Sequence, residues 1–331
     1  MASTVVQTPP STPAPPASSR FDRQRVTHWL SVNGVYIALL LVLLVDGLFL
    51  DRFLSVNNLR TQLVQVVPVL IVALGMALVI GTEGIDLSVG AVMALSAAIL
   101  PLYLGYGWPA AVLMAMLVGA LAGVLNGTLV AVVGVQPIVA TLALLVGGRG
   151  LARVLADGQA KQILDPGLIG FGSDRVLGVP MTVILAALLV LVVGLVVRRT
   201  TFGRQLLAVG GNPRASRLAG LPVRRTLISV YVISGVLAAI AGVVITARLN
   251  YSDPSSVGTL VELSAITAVV VGGTPLSGGR VRILGTVAGA LLMQLLGATL
   301  NQFDVPDSTT RIIQAFVILV AVGLQRSGRT T

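Results

Sequence analysis

The sequence predicts an all-α, polytopic membrane protein of about ten transmembrane helices, some of them broken or re-entrant. Three observations lead there. Apolar runs recur along the chain, and about 20 apolar residues are what one helix needs to cross roughly 30 Å of hydrocarbon. Only 10% of the 331 residues are charged while 55% are hydrophobic, so one polytopic domain fits better than two soluble ones. The 37 glycines suit helices packed closely in lipid, where small residues let backbones approach.

In chain order, residues 1–28 read as a cytoplasmic tail. Its first part, 1–19, is rich in Pro, Ser, Thr and Ala, a composition that predicts disorder. Arg20, Arg23 and Arg25 follow, then the first span at 32–50. That span is late and long, with no small-residue cleavage site after it, so it reads as an uncleaved helix rather than a signal peptide. Asp46 sits near its far end, within reach of the interface.

Further spans are predicted at 63–81, 89–105, 109–130, 135–155, 179–197, 226–246, 260–271, 283–301 and 309–324. Arg149 and Arg153 close the span at 135–155, so its last turns are expected to leave the lipid. The run at 260–271 is short for a crossing: it either extends through Glu262 or is half of a broken helix. Residues 326–331 form a second short tail.

Positive charge orients the bundle. With the N-terminus inside, fourteen Lys and Arg fall in inside loops and tails against eight outside, which is the direction of the positive-inside rule. The net charge of +10 therefore reads as topology and not as a nucleic-acid surface. There is no cysteine, which excludes disulfides and thiolate metal sites. His28 is the only histidine, and no Ser/His/Asp set, metal-ligand cluster or paired carboxylates in a cleft appear. No catalytic residue and no metal site are predicted, so nothing here marks the chain as an enzyme.

The loop at 198–225 holds seven of the 21 arginines and no acid. Within it, 205–208 and 215–221 read as short helical pieces separated by Gly210-Gly211-Asn212-Pro213. Asn212 suits an N-cap, with Pro213 at the first helical position. A short exposed helix held out from a membrane domain is a docking element; the plainer alternative is a loop that is basic only to fix topology.

Several motifs in this loop resemble the coupling loop of ribose-type sugar permeases, the membrane subunits of bacterial ABC importers. They are Gly203-Arg204, Ala208-Val209-Gly210-Gly211-Asn212, Ala215 and Gly220-Leu221-Pro222-Val223. Gly81-Thr-Glu-Gly-Ile-Asp-Leu-Ser-Val-Gly90 and Gly272-Gly-Thr-Pro-Leu-Ser-Gly-Gly279 agree, and the likeness runs from about 57 to 325. The family usually has Gly-Gly where this chain has Glu83-Gly84. The resemblance implies that Gly210 and Gly211 make a sharp turn and that Ala215 and Gly220 give close contact. Arg204 and Arg217 would then give charged contacts at the rim of an ATPase subunit.

It also implies the partners: that ATPase, often one chain with two fused ATP-binding halves; an extracytoplasmic sugar-binding protein; and a second permease subunit, identical or related. ATP and Mg would belong to the ATPase, leaving no cofactor on this chain. The implied setting is the inner membrane of a bacterium, with both termini cytoplasmic and a simple sugar moved by alternating access. Ribose, xylose and galactofuranose systems match best. A permease of the same superfamily for amino acids or nucleosides is the nearer alternative, and a secondary transporter working without ATPase is the other.

Leu276-Ser-Gly-Gly-Arg280 looks like an ATPase signature, and Gly273 and Gly278 have partial P-loop spacing. Gly279 stands where the phosphate-binding lysine must be, so ATP binding by this chain is excluded.

The candidate path residues are polar groups in or near spans. A charge left at the bilayer centre costs roughly 2.5–3.5 kcal/mol on insertion scales, so Glu83 and Asp86 must face water, protein or a cavity. Gly81, Gly84 and Gly90 around them argue for a broken segment at the cytoplasmic mouth of a path, with Ser88 starting the next helix. The alternative is a loop whose acids cap that helix. Asn126, Gln136, Thr141, Gln294, Asn301 and Gln314 are uncharged hydrogen-bonding groups that suit a neutral polyol. Each could equally bond between helices.

Overall fold

The computed structural model describes residues 18–50, 53–306, 308–310, 312–317 and 319, with side chains from residue 33 onward. α1, Ser18–Phe49, begins inside the expected tail: residues 18–28 are helical, because Arg and Gln there are good helix formers and extending an existing helix avoids the cost of nucleation. The remainder of that tail, 1–17, and the C-terminal residues 326–331 lie outside the described residues.

α2, Val56–Gly81, starts where the Ser55 side chain accepts from the Asn58 amide at 3.4 Å. From Val66 onward it is buried almost on every side, which makes it the central post of the bundle. α3, Val89–Tyr103, follows after a non-helical stretch at 82–88. α4, Trp108–Thr128, runs on as one π-helical turn, Leu129–Val133, to Gly134. α5 is Pro137–Leu155, α6 is Pro166–Ser173 and α7 is Met181–Arg199.

The arginine-rich loop contributes α8, Thr201–Gly211, and α9, Pro213–Leu218. α10, Val223–Leu249, α11, Val261–Val271, and α12, Ile283–Gln302, complete the core, and a C-terminal helix follows at 308–310 and 312–317. At the end of the bundle opposite the arginine-rich loop, β1 (Lys161–Gln162) pairs antiparallel with β4 (Tyr251–Ser252). There too, β2 (Arg175–Val176) and β3 (Val179–Pro180) form a hairpin.

Seven of these helices are long and apolar enough to cross a membrane. The fold is therefore all-α and polytopic. Among the described residues, the apolar part of α1 (Asn33–Phe49) and α11 are shorter, and the last predicted span, 309–324, falls partly outside them. At 1.5 Å per residue the 11 residues of α11 reach only about half-way through a bilayer. It is a half-helix, started by Leu260 in the left-handed conformation (φ 59°).

α4 and α10 pack backbone to backbone. A Cβ on Gly119 would strike the Gly235 carbonyl, one on Gly123 the Tyr231 carbonyl, and one on Gly127 the Cα of Ile228. Small residues permit that approach, the usual device for joining helices without a hydrophobic driving force.

Two charged side chains sit elsewhere than the sequence indicates. Asp46 does not reach the interface: it is fully buried, and Thr299 Oγ1 of α12 donates to its Oδ1 at 2.6 Å. Although Asp46 stands within one turn of the end of α1, its carboxylate turns to a hydroxyl on the neighbouring helix rather than to water. Arg149 does not leave the bundle either. Its guanidinium turns inward onto the 253–260 segment, whereas Arg153 is exposed.

Candidate functional site

Three glycine-rich motifs, far apart in sequence, meet at one point. The Gly279 amide donates to the Gly81 carbonyl at 3.0 Å, joining the turn after α11 to the end of α2. Gly210 of α8 lies against the same carbonyl: a Cβ there would collide with Gly81 O. Gly278 in turn faces the Gly210 carbonyl, and its φ of +70° is one that glycine adopts without strain. α8 is thus pressed directly onto both interruptions of the bundle. Its apolar face, Leu206 and Val209, is fully buried beneath it.

The local sequence explains α8. Thr200 caps it, accepting from the Gly203 amide at 3.2 Å, and α8 begins at Thr201 rather than at residue 205. Gly203 is buried against the last carbonyls of α7, where a side chain would clash with Val197 O, so α8 can fold back under that helix. Gly210 lies within α8 and makes a contact, not the expected turn. Gly211 is exposed and ends the helix. The turn belongs to Asn212, whose Oδ1 accepts from the Ala215 amide at 2.9 Å and caps α9 as the sequence indicates. Arg204, Ala215 and Arg217 are exposed. Gly220 has no other atom of this chain within 4 Å of a Cβ position, and its φ of +77° is one that glycine adopts without strain.

Glu83 and Asp86 part company. Glu83 is exposed and carries φ 67°, an uncommon conformation for a residue with a side chain. Asp86 is buried, at 2% exposure. Its Oδ1 accepts from the Ser88 amide at 3.1 Å and the Ser88 hydroxyl at 2.6 Å, and its Oδ2 accepts from Ser234 of α10 at 2.8 Å. Asn126 of α4 donates to Ser88 Oγ at 2.8 Å. Thr141 of α5 reaches the Ile85 carbonyl at 3.3 Å while also bonding its own helix at Pro137 O, 2.9 Å. So Asp86, Ser88, Asn126 and Ser234 form one buried network at the 82–88 break, and Thr141 ties the same break to α5. Gln136, exposed at the N-cap of α5, belongs to no such group.

Gln294 and Asn301 lie elsewhere. They line a cavity of about 490 Å³ between α2, α11, α12 and the C-terminal helix, together with Gln65, Ser264, Thr310 and Gln314. A more apolar cavity of about 380 Å³ adjoins it past Val66, Val69, Leu263 and Thr267. Gln294 Nε2 donates to Gln62 Oε1 at 2.9 Å and to Gln65 Oε1 at 2.8 Å. No charged residue lines either cavity among the described residues. The ATPase-like Leu276–Arg280 stretch is a turn between two helices, with no strand before it.

The family model for the permease component of branched-chain amino acid transport systems matches residues 58–322. The chain belongs to this permease family. The permease is 39% identical over 312 residues to the galactofuranose transporter permease protein YtfT of Escherichia coli (strain K12), covering 91% of this chain and 92% of the relative. Ribose import permease protein RbsC of the same organism is 39% identical over 300 residues, 89% of this chain and 93% of the relative. Fructose import permease protein FruF of Bifidobacterium longum (strain NCC 2705) is 36% identical over 305 residues, 87% of this chain and 86% of the relative. No solved structure matches the permease.

Sequence reasoning missed several groups of the permease's site. Gln62 and Gln65 are three apart on one helix, a spacing that puts both on one face. Ser234 is an isolated hydroxyl in an apolar run and gives no signal until α10 is placed beside Asp86. Leu218 is 86% exposed at the end of α9, an apolar side chain held out into the open.

Proposed function

We propose that the permease is the membrane-spanning subunit of an ATP-driven importer that carries a simple sugar into the cytoplasm. In this reading the arginine-rich end and both termini face the cytoplasm of a bacterium, across its inner membrane. A separate ATPase subunit, carrying ATP and Mg, docks on α9. A binding protein delivers sugar at the opposite end, and a second permease subunit closes the path. This chain needs no cofactor.

The observation that carries the reading is the junction of Gly81, Gly210 and Gly279. α9, with Ala215, Arg217 and Leu218 exposed, continues from α8 after a single capping residue. Any displacement of that pair presses on the end of α2 and on the turn between α11 and α12. All three of those helices border the amide-lined cavity. A movement made at the docking helix therefore arrives at the cavity wall through direct contact, as alternating access requires.

The cargo follows from the lining. Amides and hydroxyls match sugar hydroxyls without a charge to desolvate. A zwitterionic amino acid, suggested by the family's description, would call for charged partners, and the lining residues supply none. The relatives named for galactofuranose, ribose and fructose agree with a sugar.

The test reconstitutes the permease with its ATPase and binding protein and measures uptake of labelled ribose, galactofuranose and leucine. Ala215→Trp and Leu218→Asp should insert normally, fail to pull down the ATPase and lose uptake. Normal pull-down and uptake in both variants would remove α9 as the docking site. Uptake of leucine without either sugar would overturn the cargo.

A further inference from the structure

At the centre of the bundle the starts of two helices stand against each other. α3 begins at Val89 and the half-helix α11 at Val261, and the chain reaches each by a non-helical segment. Gly90 and Gly258 are the contact: a Cβ on either would strike the other's carbonyl, and Gly258 has φ +73°. A Cβ on Gly90 would also lie 2.5 Å from Glu262 Oε2 and 3.0 Å from Arg149 Nη2, so carboxylate and guanidinium border one glycine. Arg149 Nη2 donates to the Gly258 carbonyl at 2.5 Å and Nη1 to Val257 O at 3.3 Å, a forked grip on two consecutive carbonyls. Glu262 is 8% exposed, its Oε2 has no hydrogen-bond partner, and the Arg149 guanidinium is a positive charge that acts on it.

Ionisable groups at membrane depth are costly and mark function. Arg149 holds a turn, and that turn leads within three residues to α11. Leu260, Leu263, Ser264 and Thr267 from this segment form one wall of the cavity. Leu260 at φ 59° stores strain at the joint, where a side chain in the left-handed region costs roughly 1–2 kcal/mol.

We propose that Arg149 and Glu262 form a latch that holds the 253–260 turn against the start of α3 and so sets the position of α11 along the cavity. Arg149 is a positioning residue for transport; this rests on the reading of that cavity as the sugar path. Releasing the fork frees the turn, and α11 swings about Gly258 and Leu260, widening the cavity at Ser264.

The permease has no cysteine, so Ser264→Cys gives a single reporter in the cavity. Its labelling rate with a small thiol reagent is measured on purified permease in lipid nanodiscs, without sugar or ATPase. Arg149→Ala should raise that rate severalfold, Arg149→Lys should restore part of the difference, and Gly90→Ala should raise it by wedging the contact. Glu262→Gln, which keeps size and hydrogen bonding, should also raise it and serves if Arg149→Ala fails to fold. In the full importer the same variants should lower the maximal uptake rate more than they change KM. Labelling at the wild-type rate in Arg149→Ala, or in Glu262→Gln where the first does not fold, overturns the latch. Because labelling needs no transport, a wrong cargo assignment would leave this result standing.

Discussion

The Gly210 backbone of α8 lies in van der Waals contact with the Gly81 carbonyl at the end of α2, two residues 129 positions apart in the chain. No side chain fits between them. The contact survives only while residue 210 stays bare, and that gives it a sharp mutational signature.

Gly210→Ala should abolish most uptake while leaving ATPase pull-down intact, since α9 is untouched. Forcing a methyl group into a closed contact costs roughly 1–3 kcal/mol. Gly211→Ala, with open space around it, should transport normally. Equal behaviour of the two variants in paired uptake and pull-down assays would remove the junction from the coupling path.

At residue 83 the expected change is a gain. Glu83 holds φ 67°, so Glu83→Gly should stabilise the permease by about 1 kcal/mol, read as a higher unfolding temperature in detergent. Glu83→Gln should change little. Asp86→Asn should lower stability, because an amide in place of one carboxylate oxygen meets the Ser88 or Ser234 donor with a donor of its own.

Gly220 is open on all sides but left-handed. Gly220→Asn should therefore keep ATPase binding better than Gly220→Ala, as Asn tolerates that conformation and Ala does not. A bulky residue there reports strain as well as docking, so Ala215 and Leu218 are the cleaner probes of the interface.

Sugar contacts should reside in the amides. Gln65→Leu, Gln294→Leu and Asn301→Leu should each raise KM for sugar, by roughly tenfold where a hydrogen bond worth 1–2 kcal/mol is lost. Gln136→Leu, which is exposed and outside the cavity, should not. A KM set unchanged across all three would place the path elsewhere.

Orientation can be read with single cysteines in the cysteine-free chain. Ser173 and Ala215 are both exposed, at opposite ends of the bundle; Ser216, its neighbour, is buried and unsuited to labelling. With a membrane-impermeant reagent on intact cells, Ser173→Cys should label and Ala215→Cys should not.

Much of the bundle was legible in the sequence because span length is a local property. The break at 82–88 and the cap at Asn212 were legible for the same reason, since glycine spacing and capping chemistry act within a few residues; at 260–271 the run length left a crossing and a half-helix both open. What eluded a linear reading depends on partners remote in sequence. Arg149 looked like a residue at a helix exit because its target carbonyls lie 108 and 109 residues away. Gly210 looked like a turn because the carbonyl that requires its bareness belongs to α2. The polar candidates were correctly polar, yet nothing local separates Asn126, which bonds Ser88, from Gln294, which faces a cavity.

The glycine seam between α4 and α10 has a mechanical consequence. Helices in contact through their backbones have no side chains between them to yield, so the pair behaves as one stiff rod. α10 begins five residues after α9 ends and runs about 40 Å at 1.5 Å per residue, finishing at β4 on the opposite end. A push on such a rod is felt at both ends. Whatever presses on the β1–β4 end is therefore felt beside α9, at the far end of α10, without any side chain having to move.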